Sequence, residues 1–183
     1  ILNTKTTFTI GEGFRTLGDK FSEYIKDVNA NGESLDDVMR KVVSDYWTHG
    51  NAYIEIVMGK GYINLYHQDA TTARVGKSKD KILFHPDWAN VRKSEEKIKT
   101  LDIYPNFRKY TKGIQRAVIH FSDYESTYYY YGLPDYVAAL DHIKIANQIG
   151  KHNLTRFKNG FMPSAIIELG ADMSEEEAQQ FIN

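Results

Sequence analysis

The chain has 183 residues, a formal net charge of −1 and no cysteine. This length suffices for one domain with a buried core, or for one and a half. The lack of cysteine excludes disulfides and thiolate metal sites, and the near-neutral charge argues against a surface built throughout to neutralise phosphates. No apolar run approaches 18 residues, so we expect no membrane span.

The N-terminal segment predicts a strand and a helix joined by glycines. Thr6 to Ile10 is β-branched and aromatic, which favours a strand. Gly11-Glu12-Gly13 follows, and the next helix places on one face Phe14, Leu17, Phe21, Tyr24, Ile25 and Val28. This order is similar to a dinucleotide fingerprint, but Thr16 stands at the third glycine position and no strand with an acidic end follows. We therefore predict a flexible turn and not a nucleotide site.

The next helix has the cleanest pattern in the chain. Asn29 to Gly32 predicts a turn, and Ser34-Leu35-Asp36-Asp37 resembles a capping box with Asp in place of Glu. Apolar residues then recur at helical spacing from Leu35 to Trp47, which predicts a core helix that ends at His49-Gly50.

A sheet follows this helix. Asn51 to Met58 alternates and predicts a strand, and Tyr62 to His67 pairs back with it as a hairpin. Two shorter strands are predicted at Thr72 to Val75 and at Lys81 to Phe84. We expect these four strands to form an antiparallel meander with one face on the core helix.

Two segments complete the sheet region. Residues from His85 to Gly113 are charged and punctuated by proline and asparagine, which predicts a solvated excursion loop with a short helix or strand inside it. Ala117 to Phe121 is a compact apolar run and predicts a buried strand that closes the sheet.

The most extended predicted element is a helix that begins between Leu133 and Asp135. Pro134 suits a first helical turn because that position needs no backbone donor. Asn159-Gly160 supplies a left-handed stop and Pro163 prevents continuation, so the helix spans roughly 37 Å at about 1.5 Å per residue. Apolar residues recur every third position, which predicts an apolar stripe that needs a partner. We interpret this element as a projecting helix, against the alternative of a core helix with a solvated end.

The chain is predicted to end in a short strand and a helix. Ser164 to Leu169 favours the strand, and Ser174 to Glu177 makes a capping box for the final helix. Because the sequence starts at Ile1 without methionine and stops inside a helical pattern, we expect a piece of a longer protein. The fold class predicted is α+β, with an antiparallel or mixed sheet packed on N-terminal helices, then one long helix and this strand-helix segment.

The sequence contains no pattern that indicates catalysis, a metal or a cofactor. The six histidines are scattered singly, without the spacing of a metal-binding motif. Paired carboxylates such as Asp36-Asp37 are explained by helix N-termini, where negative charge is favoured. Basic residues of the long helix and the tyrosines from Tyr128 to Tyr131 could contact nucleic acid, but a solvated face and ordinary packing explain them as well.

Three strings in this order resemble the portal proteins of tailed bacteriophages. Gly50 to Tyr53 (G-N-A-Y) opens a strand after a helix, and Tyr130 to Asp135 (Y-Y-G-L-P-D) opens the long helix. Phe157 to Pro163 (F-x-N-G-x-x-P) ends it, and Ile119 to Phe121 (I-H-F) lies upstream of the second string. The motif positions with a structural role would be Gly50, Asn51, Tyr53, Tyr131, Gly132, Pro134, Asn159, Gly160 and Pro163.

The resemblance implies a non-enzymatic subunit of a homo-oligomeric ring, usually a dodecamer, at one capsid vertex of a phage or prophage particle. Double-stranded DNA would be packaged and ejected through it, and its partners would be terminase, the head-tail connector, and capsid and scaffold proteins. Residues 1–132 would form a wing-like domain, 133–160 a stem-like helix and 161–183 the start of a clip. Such a ring would assemble in the cytoplasm of the bacterial host and be part of the virion.

Side chains of the long helix would contact a neighbouring subunit or face the channel. The candidates are Lys144, Lys151, Arg156 and Lys158. Family chains are typically more than twice as long as this one, and the 85–113 excursion matches nothing in the family pattern. Two alternatives stay open: a nucleic-acid-processing domain whose catalytic residues lie elsewhere, and a non-viral α+β interaction module that uses its tyrosines as a partner surface.

Overall fold

The computed structural model describes residues 2–16, 18–92, 97–103 and 115–159. Contacts divide the chain into two units, Ile1–Ala138 and Ala139–Asn183. The described part of the first unit contains three α-helices and a six-stranded sheet, and that of the second contains a long helix. The predicted α+β class with a mixed sheet and a long C-terminal helix is confirmed.

The N-terminal prediction was wrong in its first element, because Leu2–Ile10 forms helix α1 and not a strand. Thr6 and Ile10 are buried, and Trp47 Nε1 donates to Thr9 Oγ1 at 3.2 Å. Packing of α1 along a neighbouring helix therefore overrides the strand preference of its β-branched residues. The predicted amphipathic helix behind it is reduced to α2, Asp19–Tyr24.

Helix α3, Leu35–His49, forms as predicted. The Ser34 hydroxyl accepts from the Asp37 amide, and the Asp37 carboxylate accepts from the Ser34 amide, which completes the capping box. These bonds satisfy two of the amide groups that a helix start leaves without partners. Gly50 ends α3 with a φ of 67°, in the left-handed region.

The sheet has the strand order β2-β1-β6-β5-β4-β3. Its strands are β1 Asn51–Gly59, β2 Tyr62–Gln68, β3 Ala73–Val75, β4 Lys81–Phe84, β5 Lys99–Ile103 and β6 Gln115–Ser122. The predicted hairpin of β1 and β2 exists, and the two shorter predicted strands, β3 and β4, pair with each other. The predicted meander was wrong, because β6 and β5 lie between these two pairs. Strand β6 therefore lies inside the sheet instead of closing its edge, and it pairs with β5 in parallel. Strand β5 is the short element expected within the 85–113 segment.

The sheet has a buried cluster on each face. Helix α3 covers one face, where the cluster contains Val28, Val38, Val42, Ala52 and Ile54. The other cluster contains Tyr53, Ala73, Ile82, Phe84, Leu101 and Val118. The rings of Tyr53 on β1 and Phe84 on β4 lie 5.9 Å apart. Because three strand spacings in a flat sheet would amount to about 14 Å between backbones, these two side chains lean toward each other across β6 and β5.

A buried carboxylate joins four strands of the sheet. Glu55 of β1 is buried, and its Oε2 accepts from Gln68 of β2 at 2.8 Å and from Lys99 of β5 at 2.5 Å. Arg116 of β6 lies 3.7 Å from the other carboxylate oxygen. A buried charge is tolerated only where opposite charges and donors surround it, so this cluster favours one register of the sheet.

The long helix is shorter than predicted. Residues Asp135–Ala139 form a 3-10 turn, and the α-helix α4 spans Leu140–Lys158, about 28 Å at about 1.5 Å per residue. It continues through Gly150, and Asn159 caps its end with a φ of −90°. The left-handed stop predicted for Asn159-Gly160 therefore does not lie at Asn159, and at Gly160 it stays a prediction. Gly160, Pro163 and the predicted strand and helix after them lie outside the described residues.

We predict that Glu55→Gln lowers the free energy of unfolding by about 1–3 kcal/mol, because Lys99 and Arg116 lose their counter-charge. Urea denaturation monitored by circular dichroism measures the change. The matched control is Glu12→Gln, whose carboxylate forms an exposed ion pair with Arg15 and should contribute under about 0.5 kcal/mol. Equal effects of the two substitutions would contradict a role for the buried cluster.

Candidate functional site

Two of the sequence strings that lie about 80 residues apart meet in the first unit. We call this contact the motif junction and define it by Gly50, Asn51, His120, Asp123 and Gly132. The buried Asn51 side chain occupies its centre. Its Nδ2 donates to the carbonyls of His49 at 2.8 Å and Gly132 at 2.9 Å, and its Oδ1 accepts from the Gly132 amide at 2.8 Å. The Asn51 side chain therefore provides the main-chain groups of Gly132 with the hydrogen bonds that a neighbouring strand would otherwise make.

Glycine is required at two positions of the motif junction, for a different structural reason at each. Gly50 has a positive φ, and a Cβ there would lie 2.6 Å from the carbonyl carbon of Leu133. A Cβ at Gly132 would lie 2.3 Å from both the Gly50 oxygen and the Asp123 nitrogen. Those two atoms are joined by a hydrogen bond of 2.9 Å. The backbones approach so closely that only glycine fits at either position.

His120 completes the hydrogen bonding of Asn51. Its Nε2 lies 3.1 Å from Asn51 Oδ1, and its ring stacks on Tyr53 at 4.6 Å. Burial lowers the pKa of His120 to about 4, so the ring is neutral at pH 7. Because Asn51 Nδ2 already donates to two carbonyls, Oδ1 faces His120 and the proton must lie on Nε2. Burial likewise raises the pKa of Tyr53.

The segment that leads to the long helix is tied to three elements. The hydroxyl of Tyr131 accepts from the Val75 amide of edge strand β3 at 2.9 Å. Tyr136 donates to the carbonyl of Thr48 in α3 at 2.9 Å, and Asp135 forms an ion pair with Lys5 of α1. These contacts fix the residues around Pro134 on the first unit, which gives the Y-Y-G-L-P-D string a structural explanation.

The four predicted contact residues of α4 do not share one face. Lys144, Lys151 and Lys158 follow each other at intervals of seven residues, so they lie in one row along the helix. Arg156 points about 120–160° away from this row at about 100° per residue. All four side chains are exposed, and Lys144 also forms an ion pair with Asp141 at 3.1 Å. The row and Arg156 therefore belong to different surfaces.

The structure thus brings together six of the predicted motif positions. Gly50, Asn51 and Gly132 are in direct contact, while Tyr53, Tyr131 and Pro134 lie around them. The sequence pattern gave no role to His120, although the I-H-F string contained it; a histidine inside an apolar strand was the available signal.

Neither a metal cluster nor a membrane-spanning helix is found among the described residues. No group of three His, Asp or Glu side chains there could hold a metal ion. None of the helices described combines the length and the apolar character that a membrane span needs.

The motif junction uses its polar groups to join backbone to backbone, and the long helix carries exposed apolar and basic side chains. The fold that carries these features is of the α+β class. The family model for the phage portal protein matches residues 18–183, and the chain belongs to this family.

Solved structures share the fold. A chain in the virion of the native gene transfer agent (GTA) particle is 18% identical, with a TM-score of 0.64, and the match covers 99% of this chain and 48% of that one. Chains in the neck of the empty GTA particle, computed with C6 symmetry, and of the native particle, computed with C12 symmetry, have TM-scores of 0.62 and 0.61. Their identities are 16% and 18%, and each match covers 99% of this chain and 49% of the other. The chain therefore spans about half the length of these structures, and no protein with a curated description matches it.

We predict that Gly132→Ala destabilises the first unit by more than about 3 kcal/mol, because the new methyl group would overlap backbone atoms that cannot move apart. Thermal and urea denaturation measure the loss. Gly150→Ala is the matched control, since nothing lies within 4 Å of that position on α4, and alanine is favoured in a helix interior by up to about 1 kcal/mol. A tolerated Gly132→Ala would show that the close backbone approach is not required.

We predict that His120 makes the fold sensitive to acid. Its pKa is about 4 in the folded chain and about 6.5 in an unfolded one, so between these values only the unfolded state binds the proton. The stability that the neutral His120 ring contributes is therefore fully present above pH 6.5 and is lost as the pH falls toward 4. His120→Gln keeps a donor toward Asn51 and should flatten this dependence by about 1–3 kcal/mol.

Urea denaturation at several pH values between 4 and 7 measures the effect of His120. His142→Gln, which changes an exposed side chain of α4, should retain the wild-type pH profile. If His120→Gln also retained that profile, the acid sensitivity would have to arise from other groups.

Proposed function

We propose that the protein is a structural subunit of a portal ring at a capsid vertex, and that α4 provides contacts between subunits. The observation that carries this proposal is the exposure of α4. None of its 19 residues is buried, and its large apolar side chains are 37–75% exposed. A helix with this much exposed apolar surface is stabilised when another element covers it. Membership of the portal family supports a neighbouring copy as that element.

The distribution of apolar side chains around α4 supports contacts on more than one side. A spacing of three residues rotates by about −60° per step at about 100° per residue, so Leu140 and Ile149 lie on opposite sides of the helix. The predicted single stripe was therefore wrong. One face carries Ile143, Leu154 and Phe157, and a second face carries Ile145 and Ile149. In a cyclic ring each subunit has two neighbours and presents a different surface to each.

From the family we also infer the passage of DNA, the docking partners and the region of the ring to which each part of the chain belongs. Double-stranded DNA would pass through the ring during packaging and ejection, and terminase, the head-tail connector, and capsid and scaffold proteins would dock on it. Residues 1–132 would be the wing, 133–160 the stem and 161–183 the start of the clip. The row formed by Lys144, Lys151 and Lys158 would face the channel or a neighbour. A net charge of −1 suits a channel in which DNA must slide, because tight phosphate binding would hold it in place.

The alternatives are less well supported. A nucleic-acid-processing domain would be favoured by a compact cluster of acidic or histidine side chains, and the described residues contain no such cluster with the geometry of a metal site. An interaction module outside a virus would not account for the family match. Membership of the portal family therefore supports the structural role that we propose.

The full-length protein, measured by native mass spectrometry and electron microscopy, should form a closed ring of about twelve subunits. Phe157→Asp should reduce ring formation by about tenfold or more, because it places a charge in the apolar face of α4. Phe157 is 75% exposed, so the fold of the subunit should not change.

Thr155→Asp is the matched control, because Thr155 lies two residues earlier on α4 and projects about 160° away from Phe157 at about 100° per residue. It should assemble like the wild type. A full-length protein that stays monomeric or dimeric would overturn the ring, while rings formed equally well by Phe157→Asp would overturn the role of this face.

A further inference from the structure

The first unit carries an exposed aromatic surface that the motif junction does not use. We call it the tyrosine surface; it consists of Tyr124, Tyr128, Tyr129, Tyr130 and Tyr131, which are 37–89% exposed. These residues line a cavity of about 480 Å³ together with Lys79, Asp123 and Glu125. Exposed aromatic groups at this density are typical of protein interfaces.

The tyrosine surface already binds one cation of its own chain. Lys79 Nζ lies 3.1 Å from the ring centroid of Tyr129 and 5.5 Å from that of Tyr130. Lys79 has a φ of 59°, and no other non-glycine residue in the described part of the chain has a positive φ. The rings of Tyr129 and Tyr130 meet edge to face at 5.1 Å. The rings of Tyr129 and Tyr130 thus show that this surface can hold a positive charge.

The same cavity contains acidic side chains. Asp123 and Glu125 both line it. Glu125 is exposed, and its carboxylate accepts only from the neighbouring hydroxyls of Ser126 and Thr127, at 3.4 and 3.5 Å, among the described residues. A carboxylate beside aromatic faces is the combination that binds a guanidinium group by both charge and stacking.

A surface with the complementary chemistry lies on α4. Ile145, Ile149 and Arg156 project within about 40° of one another around the helix at about 100° per residue. The two isoleucines are 57% and 55% exposed, and Arg156 has no ion pair within the described ranges. From Lys151 to Lys158 the helix has three cationic residues and no acidic one. This face offers apolar groups to the tyrosines and a guanidinium to the carboxylates.

We propose that the tyrosine surface of one subunit binds the Ile145, Ile149 and Arg156 face of α4 from a second copy of the chain. The Arg156 guanidinium lies against the tyrosine rings and pairs with Glu125, and the isoleucines cover the exposed rings. This inference rests on the proposed function, since two different surfaces that bind each other head to tail are what a closed ring requires.

A charge exchange in the full-length protein tests the contact. Glu125→Arg and Arg156→Glu should each raise the protein concentration needed for half-maximal ring assembly by about tenfold. The double variant restores an opposite pair and should return to within about threefold of the wild type. Glu12→Arg, which changes a similarly exposed carboxylate elsewhere, should assemble normally. Mass photometry over a dilution series measures each midpoint.

Two tyrosine variants separate the ring face from the hydroxyl. Tyr129→Phe keeps the aromatic face and should assemble like the wild type, whereas Tyr129→Ser should weaken assembly about as much as Arg156→Glu. Circular dichroism confirms that each variant is folded, which its exposed position favours.

The possible outcomes distinguish this contact from the ring itself. A full-length protein that forms no ring removes the proposed function and this inference together. Rings that tolerate both single charge reversals, or a double variant no better than the single ones, overturn this contact alone. Loss of binding to another virion protein, with unchanged ring assembly, would assign the tyrosine surface to that protein and equally overturn the proposal.

Discussion

The organisation of the first unit depends on the hydrogen bonds of the Asn51 side-chain amide. This amide makes four hydrogen bonds, which is its full capacity, and three of them hold main-chain atoms of His49 and Gly132. Gly132 is buried and His120 is half-buried, so loss of the Asn51 side-chain amide would leave their polar groups without water or protein partners. The start of β1 and the segment that leads to α4 are thereby held together despite a separation of about 80 residues.

Local signals in the sequence were sufficient for α3 and the hairpin after it. The Ser34 capping box and the glycine at position 50 act within a few residues, so they determine the ends of α3 almost independently of the rest of the fold. The order of the sheet could not be obtained in this way. Placement of β6 between β1 and β5 depends on long-range pairing and on the buried Glu55 cluster, neither of which has a periodic signature.

The candidate site was predictable as a set of motif residues but not as a contact. The glycines and Asn51 stood out in their strings, yet nothing in the spacing shows that the two strings touch. His120 was missed because a single histidine in a strand has no motif, and its role appears only when Asn51 lies 3.1 Å away. Helix α1 was missed because its packing against Trp47 outweighs the strand preference of its threonines.

The two parts of the chain divide two physical tasks. The first unit surrounds its buried carboxylate, Glu55, with cationic and amide partners, whereas α4 keeps apolar and cationic groups exposed on several sides. A helix that packed all its apolar residues into its own domain would have none left for a neighbour. Apolar residues spaced by three distribute themselves around the helix instead of forming one stripe, so they can serve partners on two sides. The spacing by three that weakens α4 as a core helix is therefore the feature that fits it to the proposed ring.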